Sequence, residues 1–173
     1  LVLKPVLYPF LFQPNLHPLV WGGKRLTGFK GLPSQDRPIG ESWEVSVIPY
    51  STSTIANGDL AGRNLADVIA ENPVEILGEA VAAQYQNKLP LLAKFIDAKH
   101  DLSIQVHPND EMARMKYGKL GKSEMWYIID AEPGSFLYAG FNREISLEES
   151  FELYKAGMEE LQFCNDKIQK TEK

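Results

Sequence analysis

Residues 89–110 read LPLLAKFIDAKHDLSIQVHPND, two apolar runs joined by a short polar turn. Short apolar runs bounded by turn residues are typical of strands, so LPLLAKFIDA predicts a buried strand and LSIQVH its neighbour. Because side chains alternate along a strand, Ser103, Gln105 and His107 share one face of the second run. Three polar side chains therefore point the same way from an otherwise apolar strand.

A second run, GKSEMWYI at residues 121–128, also combines polar and apolar residues. The same alternation places Lys122, Glu124 and Trp126 on one face. If the two strands face one cavity, an amide, an imidazole and a carboxylate converge, and such a group can bind a divalent metal. A strand face exposed to solvent would carry the same residues, and the spacing alone does not decide between the two interpretations.

The rest of the chain alternates short strands with turn signals, and few helices interrupt it. Many short strands of this kind predict a mainly β fold, an antiparallel barrel or sandwich with a few peripheral helices, built as one domain over residues 1–173. Turn formers in residues 1–40 favour extended segments and loops over helix. Further strands are predicted at 40–48, 51–56, 123–130 and 134–141, and helices at 65–72, within 74–87, at 109–118 and at 147–161.

Composition narrows the function classes. The net charge of -5 argues against a nucleic-acid partner, since no basic cluster offsets it. No apolar run approaches the roughly 20 residues that span a bilayer, which predicts no membrane segment. The single cysteine, Cys164, cannot form an internal disulfide, and a signal peptide is not apparent, so we expect a cytoplasmic protein.

Three further residues each have a functional and a structural interpretation. Lys122 can bind a phosphate or solvate a strand end. Trp21, in the sequence WGG, can stack on a sugar ring or lie buried beside a turn. Glu41 can be a ligand or a surface carboxylate. We assign no chemistry to His17 or His100, which lie in apparent loops.

Five stretches, taken in order, resemble the N-terminal half of type I mannose-6-phosphate isomerases, particularly the short bacterial form. The resemblance runs from about Tyr8 to about Gly157, and the pairing of QVHPND with GKSEMWY is its most specific part. The stretches are WGGKRL, IGESWEVS, NGDLAGR, LPLLAKFIDAKHDLSIQVHPND and GKSEMWYI.

The resemblance implies a cupin-type jelly-roll barrel that binds one zinc ion and interconverts mannose 6-phosphate and fructose 6-phosphate. Gln105, His107 and Glu124 match three of the four zinc ligands of the family. Ser103 and Lys122 match positions that bind the sugar phosphate. Trp21 and Glu41 fall on motifs that line the same cavity, with Lys122 and Glu41 as the catalytic candidates and Trp21 as a substrate-binding residue.

The chain also departs from the family pattern. Members continue to a Pro-Ala-Gly-x-x-His motif, whose histidine is the fourth zinc ligand, and to a substrate-binding arginine. Here no histidine follows His107, and Arg143 is the one arginine after Lys122. We therefore expect a truncated product or the first part of a split enzyme, completed by a homodimer partner or by a complementing C-terminal chain.

Three hypotheses follow from the sequence. The first is an isomerase of this family. The second is a non-catalytic cupin-like module that binds a metal or a sugar phosphate, or that contributes to an assembly. The third is a decayed fragment with no specific ligand, for which replacing His107 by alanine should change no binding signal.

Overall fold

The computed structural model of the protein contains two compact units, Leu1–Ser103 and Ile104–Lys173. The residues that the structure describes are 7–103, 105, 107–140, 143, 144, 146, 148, 149, 152 and 155. The extent of the predicted single domain, residues 1–173, stays a prediction, and each unit is considered by itself.

The first unit is built on a three-stranded antiparallel sheet with strand order β1-β2-β3. The strands are β1 (Leu16–Gly23), β2 (Ile39–Val45) and β3 (Ala93–Ile96). Alternation in GESWEVSVI and the apolar run LPLLAKFIDA predicted β2 and β3, and both strands are confirmed, although β3 is shorter than that run. Because β2 lies between the other two strands, its side chains occupy the centre of the sheet.

The described part of this unit contains four helices: α1 (Arg25–Phe29), which packs against β2, α2 (Leu65–Glu71), α3 (Pro73–Leu77) and α4 (Glu79–Gln84). The N-cap prediction at Asn64 is confirmed, since its side chain accepts a hydrogen bond from Ala66 N at 2.9 Å. Helix α1 was not expected in the turn-rich segment. Its first amide, Arg25 N, donates to Asp97 Oδ2 at 2.7 Å, a capping bond from a residue distant in sequence.

The core of this unit lies under the loop that follows β2. Ile55, Leu60 and Val68 are buried together. Leu7, Tyr8, Phe10, Phe12 and Ile76 pack against them. The segment predicted as a strand at 51–56 contributes two isolated bridges, Phe12 to Ile55 and Thr54 to Asn64, and the turn predicted at Asn57-Gly58 is confirmed by the left-handed φ of 64° at Gly58.

The second unit contains α5 (Asp110–Tyr117), whose two ends follow the sequence. Asn109 Oδ1 accepts a hydrogen bond from Met112 N at 2.9 Å, and Gly118 closes the helix in the left-handed conformation at φ 62°. The predicted helix over residues 109–118 is confirmed.

Three predicted strands are wrong over the residues that the structure describes. Residues 102, 103, 105 and 107, residues 123–130 and residues 134–140 carry no strand assignment. Side chains in the last two segments are largely exposed, with Met125 at 89% and Tyr127 at 85%. An alternating pattern becomes a strand only when a neighbouring chain segment completes the hydrogen-bond ladder. Among the described residues these segments have no such neighbour.

The helix predicted at 147–161 falls largely outside the described residues. Its start is seen, because Ser146 Oγ accepts a hydrogen bond from Glu149 N at 3.1 Å, as the predicted cap requires. No helix in the described ranges is both long and apolar enough to cross a membrane.

Candidate functional site

One face of the sheet in the first unit carries a connected group of polar and aromatic side chains. His17 of β1 lies opposite Glu41 of β2, and Trp43 follows Glu41 by two residues on the same face. Lys94 of β3 lies opposite Trp43. The alternation of three short strands therefore brings these four side chains together.

Glu41 has a partner for each carboxylate oxygen. Lys94 Nζ donates to Oε1 at 2.7 Å, and Trp43 Nε1 donates to Oε2 at 2.7 Å. The ion pair is largely shielded from solvent, since the Lys94 side chain is 19% exposed and that of Glu41 is 13% exposed. Burying a paired, hydrogen-bonded charge fixes its geometry, so the sheet presents a rigid carboxylate and ammonium pair.

His17 completes this group from the outer strand. Its ring stacks on Trp43 with centroids 4.3 Å apart, and its Nε2 lies 3.0 Å from Ser51 Oγ. Burial lowers the pKa of His17, with Glu41 acting in the opposite direction and Lys94 adding to the lowering. The imidazole is therefore held in its neutral form more strongly than a solvated histidine.

The opposite face of β2 holds a separate polar pair. Lys30 Nζ donates to both Glu44 carboxylate oxygens, at 2.5 and 2.6 Å, and Ser42 Oγ donates to Glu44 Oε1 at 2.6 Å. Lys30 also lies 5.6 Å from the ring centroid of Phe95. These contacts attach the segment after α1 to the sheet, which explains Glu44 as a structural residue.

In the second unit the structure brings together three residues of the two motifs. His107 Nε2 lies 3.0 Å from Glu124 Oε2, and Lys122 Nζ lies 3.6 Å from Glu124 Oε1. A hydrogen bond from Lys122 N to Pro108 O, at 3.2 Å, ties the start of the second motif to the end of the first. A loop contact, rather than the paired strands expected from the sequence, places His107 beside Glu124.

The His107 and Glu124 pair fits part of a zinc site. Two ligands of one tetrahedral zinc lie roughly 3.4 Å apart by ordinary bond lengths and angles, close to the 3.0 Å found here. Both side chains are partly shielded, at 23% and 30% exposure. Within the described ranges no three His, Cys, Asp or Glu side chains converge, and Gln105, the third ligand expected from the sequence, is an amide outside those residue types.

A cleft of about 400 Å³ adjoins His107. Its lining comes from the loop after His107 and from α5, namely Pro108, Asn109, Met112 and Tyr117. The mixture of apolar surface and a ring nitrogen suits a small organic ligand with one polar end.

Gln105, Ser103 and Trp21 are the other predicted site residues. Gln105 and Ser103 are exposed, and the shared strand face expected for them with His107 is not formed among the described residues. Trp21 is half-buried, with its ring against Gly40, where an added Cβ would lie 2.8 Å from Cζ3. Trp21, Glu41 and Ser103 belong to the first unit and the other candidates to the second.

Sequence reasoning missed Lys94, Trp43 and His17 as members of the site. One signal was available, since Lys94 is a charge inside an apolar strand, and a charge so placed needs a buried partner. His17 gave no comparable signal, because its contact with Ser51 joins residues 34 apart in the chain.

Comparison with known proteins identifies two resemblances. The family model described as the catalytic domain of type I phosphomannose isomerase matches residues 10–139. A second family model, described as the exonuclease VII small subunit, matches residues 142–173.

Individual relatives agree with the first resemblance. A probable mannose-6-phosphate isomerase of Bacillus subtilis is 38% identical over 134 residues, covering 77% of this chain and 41% of that protein. The mannose-6-phosphate isomerase of Streptococcus mutans is 35% identical over 149 residues, covering 86% of this chain and 45% of that protein. The chain thus spans about two fifths of the length of these curated relatives.

Solved structures give the same result. The mannose 6-phosphate isomerase of Bacillus subtilis superposes with a TM-score of 0.64 at 37% identity, over 72% of this chain and 38% of that one. A phosphomannose isomerase mutant of Salmonella typhimurium gives a TM-score of 0.56 at 32% identity, over 63% of this chain and 28% of that one.

Proposed function

The chain belongs to the type I phosphomannose isomerase family, and on that premise we propose that it supplies the metal-binding part of an isomerase centre for mannose 6-phosphate and fructose 6-phosphate. The observation that carries the proposal is the pair formed by His107 and Glu124, with Lys122 beside it. A ring nitrogen, a carboxylate and an ammonium group suit a metal and a phosphorylated sugar at adjacent positions.

Gln105, His107 and Glu124 would hold one zinc ion. When bound, zinc acts as a Lewis acid that stabilises negative charge on the sugar oxygens. Lys122, which is 46% exposed and lies 3.6 Å from Glu124, has an ammonium group that a phosphate can reach from solvent. Binding of the phosphate at a distance from the reacting carbons positions them for reaction.

Isomerisation of an aldose to a ketose transfers a proton from C2 to C1 and moves the carbonyl from C1 to C2 through a cis-enediol. Glu41 and Lys94 form a rigid pair suited to hydrogen bonds with sugar hydroxyls. Ser103 adds a hydroxyl, and Trp21 an aromatic surface for the ring of the sugar. Glu41 and Lys122 are the catalytic candidates, and no residue is assigned as the general base.

A cupin-type jelly-roll barrel is the complete fold that we propose for the centre. Residues 123–130 and 134–140 have the strand pattern but no ladder among the described residues. Their exposed apolar side chains favour pairing with further strands, supplied by a homodimer partner or by a complementing C-terminal chain. The single cysteine is consistent with the cytoplasm as the place of this activity.

Zinc affinity and turnover test this proposal separately. We expect the purified chain to bind zinc in competition with a chromogenic chelator, and to convert mannose 6-phosphate to fructose 6-phosphate in a coupled assay. His107→Ala and Glu124→Gln should each weaken zinc affinity by at least tenfold, because each removes one ligand. His100→Ala, at an exposed histidine outside the site, is the matched control.

The outcomes are distinct. Zinc binding that depends on His107 and Glu124 without turnover would favour the binding-module hypothesis. Equal zinc affinity in the wild type and in both variants, with circular dichroism showing that all are folded, would contradict the proposed metal site.

We propose a second function for residues 142–173, that of an assembly segment. The match to a family described as a small subunit carries this proposal. Apolar residues recur there at alternating spacings of four and three, the heptad pattern of coiled coils. They are Leu147, Phe151, Tyr154, Met158, Leu161 and Ile168, with Asn165 at the intervening position. The oligomeric state of the chain with and without this segment tests it.

A further inference from the structure

The Glu41 carboxylate depends on Trp43 for half of its hydrogen bonding. Oε2 accepts from Trp43 Nε1, whereas Oε1 accepts from Lys94. An ammonium group can donate in several directions, whereas the indole is a rigid plane with one donor in a fixed direction. The orientation of the indole therefore sets the orientation of the carboxylate.

The Trp43 indole is 9% exposed, and it is supported on one face by His17. The two rings are stacked, with centroids 4.3 Å apart and an interplanar angle of 25°. The exposed Tyr50 ring also lies near the indole, 6.1 Å away and tilted at 57°, a looser contact. Of these two ring contacts, the stack with His17 constrains the indole plane more.

His17 is itself held by a chain of hydrogen bonds. Ser51 Oγ donates to Asn15 Oδ1 at 3.1 Å, and Asn15 Nδ2 donates to Ser51 O at 3.3 Å. A hydroxyl has one proton, so Ser51 Oγ must accept at its 3.0 Å contact with His17. His17 therefore carries a proton on Nε2 and donates it to Ser51 Oγ.

We propose that His17 is a positioning residue, which fixes the Trp43 indole by stacking on it and so aligns the Glu41 carboxylate toward a bound sugar. Hydrogen bonds among Asn15, Ser51 and His17 hold the imidazole, and stacking of the imidazole holds the indole. The last link rests on the proposed function, since it assumes that Glu41 contacts the sugar. The earlier links concern the free protein alone.

Burial favours a neutral His17 ring and outweighs the opposing effect of Glu41. Burial lowers its pKa, the most important cause, Lys94 lowers it further, and Glu41 raises it. A neutral ring protonated on Nε2 satisfies the contact with Ser51.

Nuclear magnetic resonance of the full chain, labelled with nitrogen-15, tests the first links. The Trp43 indole signal, assigned with Trp43→Phe, should move when Glu41 is changed to Gln. Its N–H should exchange with solvent several-fold faster in His17→Ala. His17→Phe keeps the stack and loses the bond to Ser51, so the exchange rate should recover in part. His100→Ala should leave the signal unchanged.

Mannose 6-phosphate, titrated into the same samples by calorimetry, tests the last link. His17→Ala should weaken binding several-fold and His17→Phe less, with the zinc affinity of each equal to that of the wild type. If solvent exchange of the Trp43 indole N–H is the same in His17→Ala as in the wild type, the proposal is wrong, whether or not the sugar binds. If His17→Ala alters the indole signal but leaves the affinity for mannose 6-phosphate unchanged, His17 does not align Glu41 for the sugar. The proposed function is judged separately, because it is supported by loss of zinc affinity in His107→Ala.

Discussion

Glu41 shows how much a single carboxylate depends on its neighbours. Lys94 supplies a counter-charge that offsets the cost of burying the carboxylate, and Trp43 donates the hydrogen bond that orients it. Removing Lys94 would leave a shielded carboxylate without its counter-charge, which costs more than the pair contributes. The two partners lie on different strands, so the site and the sheet stabilise each other.

Acid should destabilise the first unit through His17. Its pKa in the folded chain is lowered, chiefly by burial, from the ordinary histidine value of about 6.5. Below that pH, His17 is protonated in the unfolded chain but remains neutral in the folded chain. The free energy of unfolding therefore falls as the pH falls toward the folded pKa. Above the ordinary histidine pKa, His17 contributes fully to the free energy of unfolding.

Urea unfolding measured at several pH values between about 5 and 7.5 checks this direction. His17→Phe should flatten the dependence, because it removes the titrating group and keeps the ring. His100→Ala should retain the slope. A slope in His17→Phe as steep as in the wild type would assign the acid sensitivity to other groups.

At the scale of the elements, the backbones of β1 and β2 approach closely at Gly22. An added Cβ at Gly22 would lie 2.7 Å from Ile39 C and 2.8 Å from Gly40 Cα. Both neighbours are backbone, so no side chain can move aside to make room. The WGG sequence is thus explained by strand packing, whatever Trp21 does beside it.

Gly22→Ala should therefore destabilise the protein by about 1 to 3 kcal/mol, the usual cost of overpacking. Gly28→Ala is the matched control, because nothing lies within 4 Å of a Cβ added there and the residue is in α1. We expect the control to stabilise the protein by about 0.5 to 1 kcal/mol. Thermal unfolding of both variants checks the contrast, and equal effects would contradict it.

Helices with local signals were predictable and several strands were not. Asn109 and Gly118 bound α5 through contacts within the helix itself, so the sequence contains the information. Strands at 123–130 and 134–141 were predicted from alternation, but a strand depends on a partner that alternation does not specify. The same limit applies to His17, whose contacts with Ser51 and Trp43 arise only after the sheet forms.

At the scale of the whole molecule, residues 142–173 can be interpreted through either of two family resemblances. The isomerase family model ends at residue 139 and the exonuclease VII small subunit model begins at residue 142. The Streptococcus mutans relative is nevertheless aligned over 149 residues, which must extend past residue 142. Residues just beyond 142 are therefore similar to both families, and similarity alone does not assign their role.

Removing residues 141–173 distinguishes the two roles. If the segment is an assembly element, the full chain should be an oligomer in sedimentation equilibrium and residues 1–140 should be monomeric, with little change in the unfolding of the first unit. Met158→Lys should have the effect of the truncation, because it places a charge in the heptad seam. Glu152→Gln, at an exposed helical residue, should not.

The opposite pattern follows if the segment is an isomerase helix. Truncation would then expose the apolar residues that the helix covers, lowering the stability of the remaining chain and leaving its mass in solution unchanged. An oligomer that persists in residues 1–140 would contradict the assembly proposal and would show that the interface lies within those residues, where Met125, Tyr127 and Tyr138 are among the exposed hydrophobic side chains.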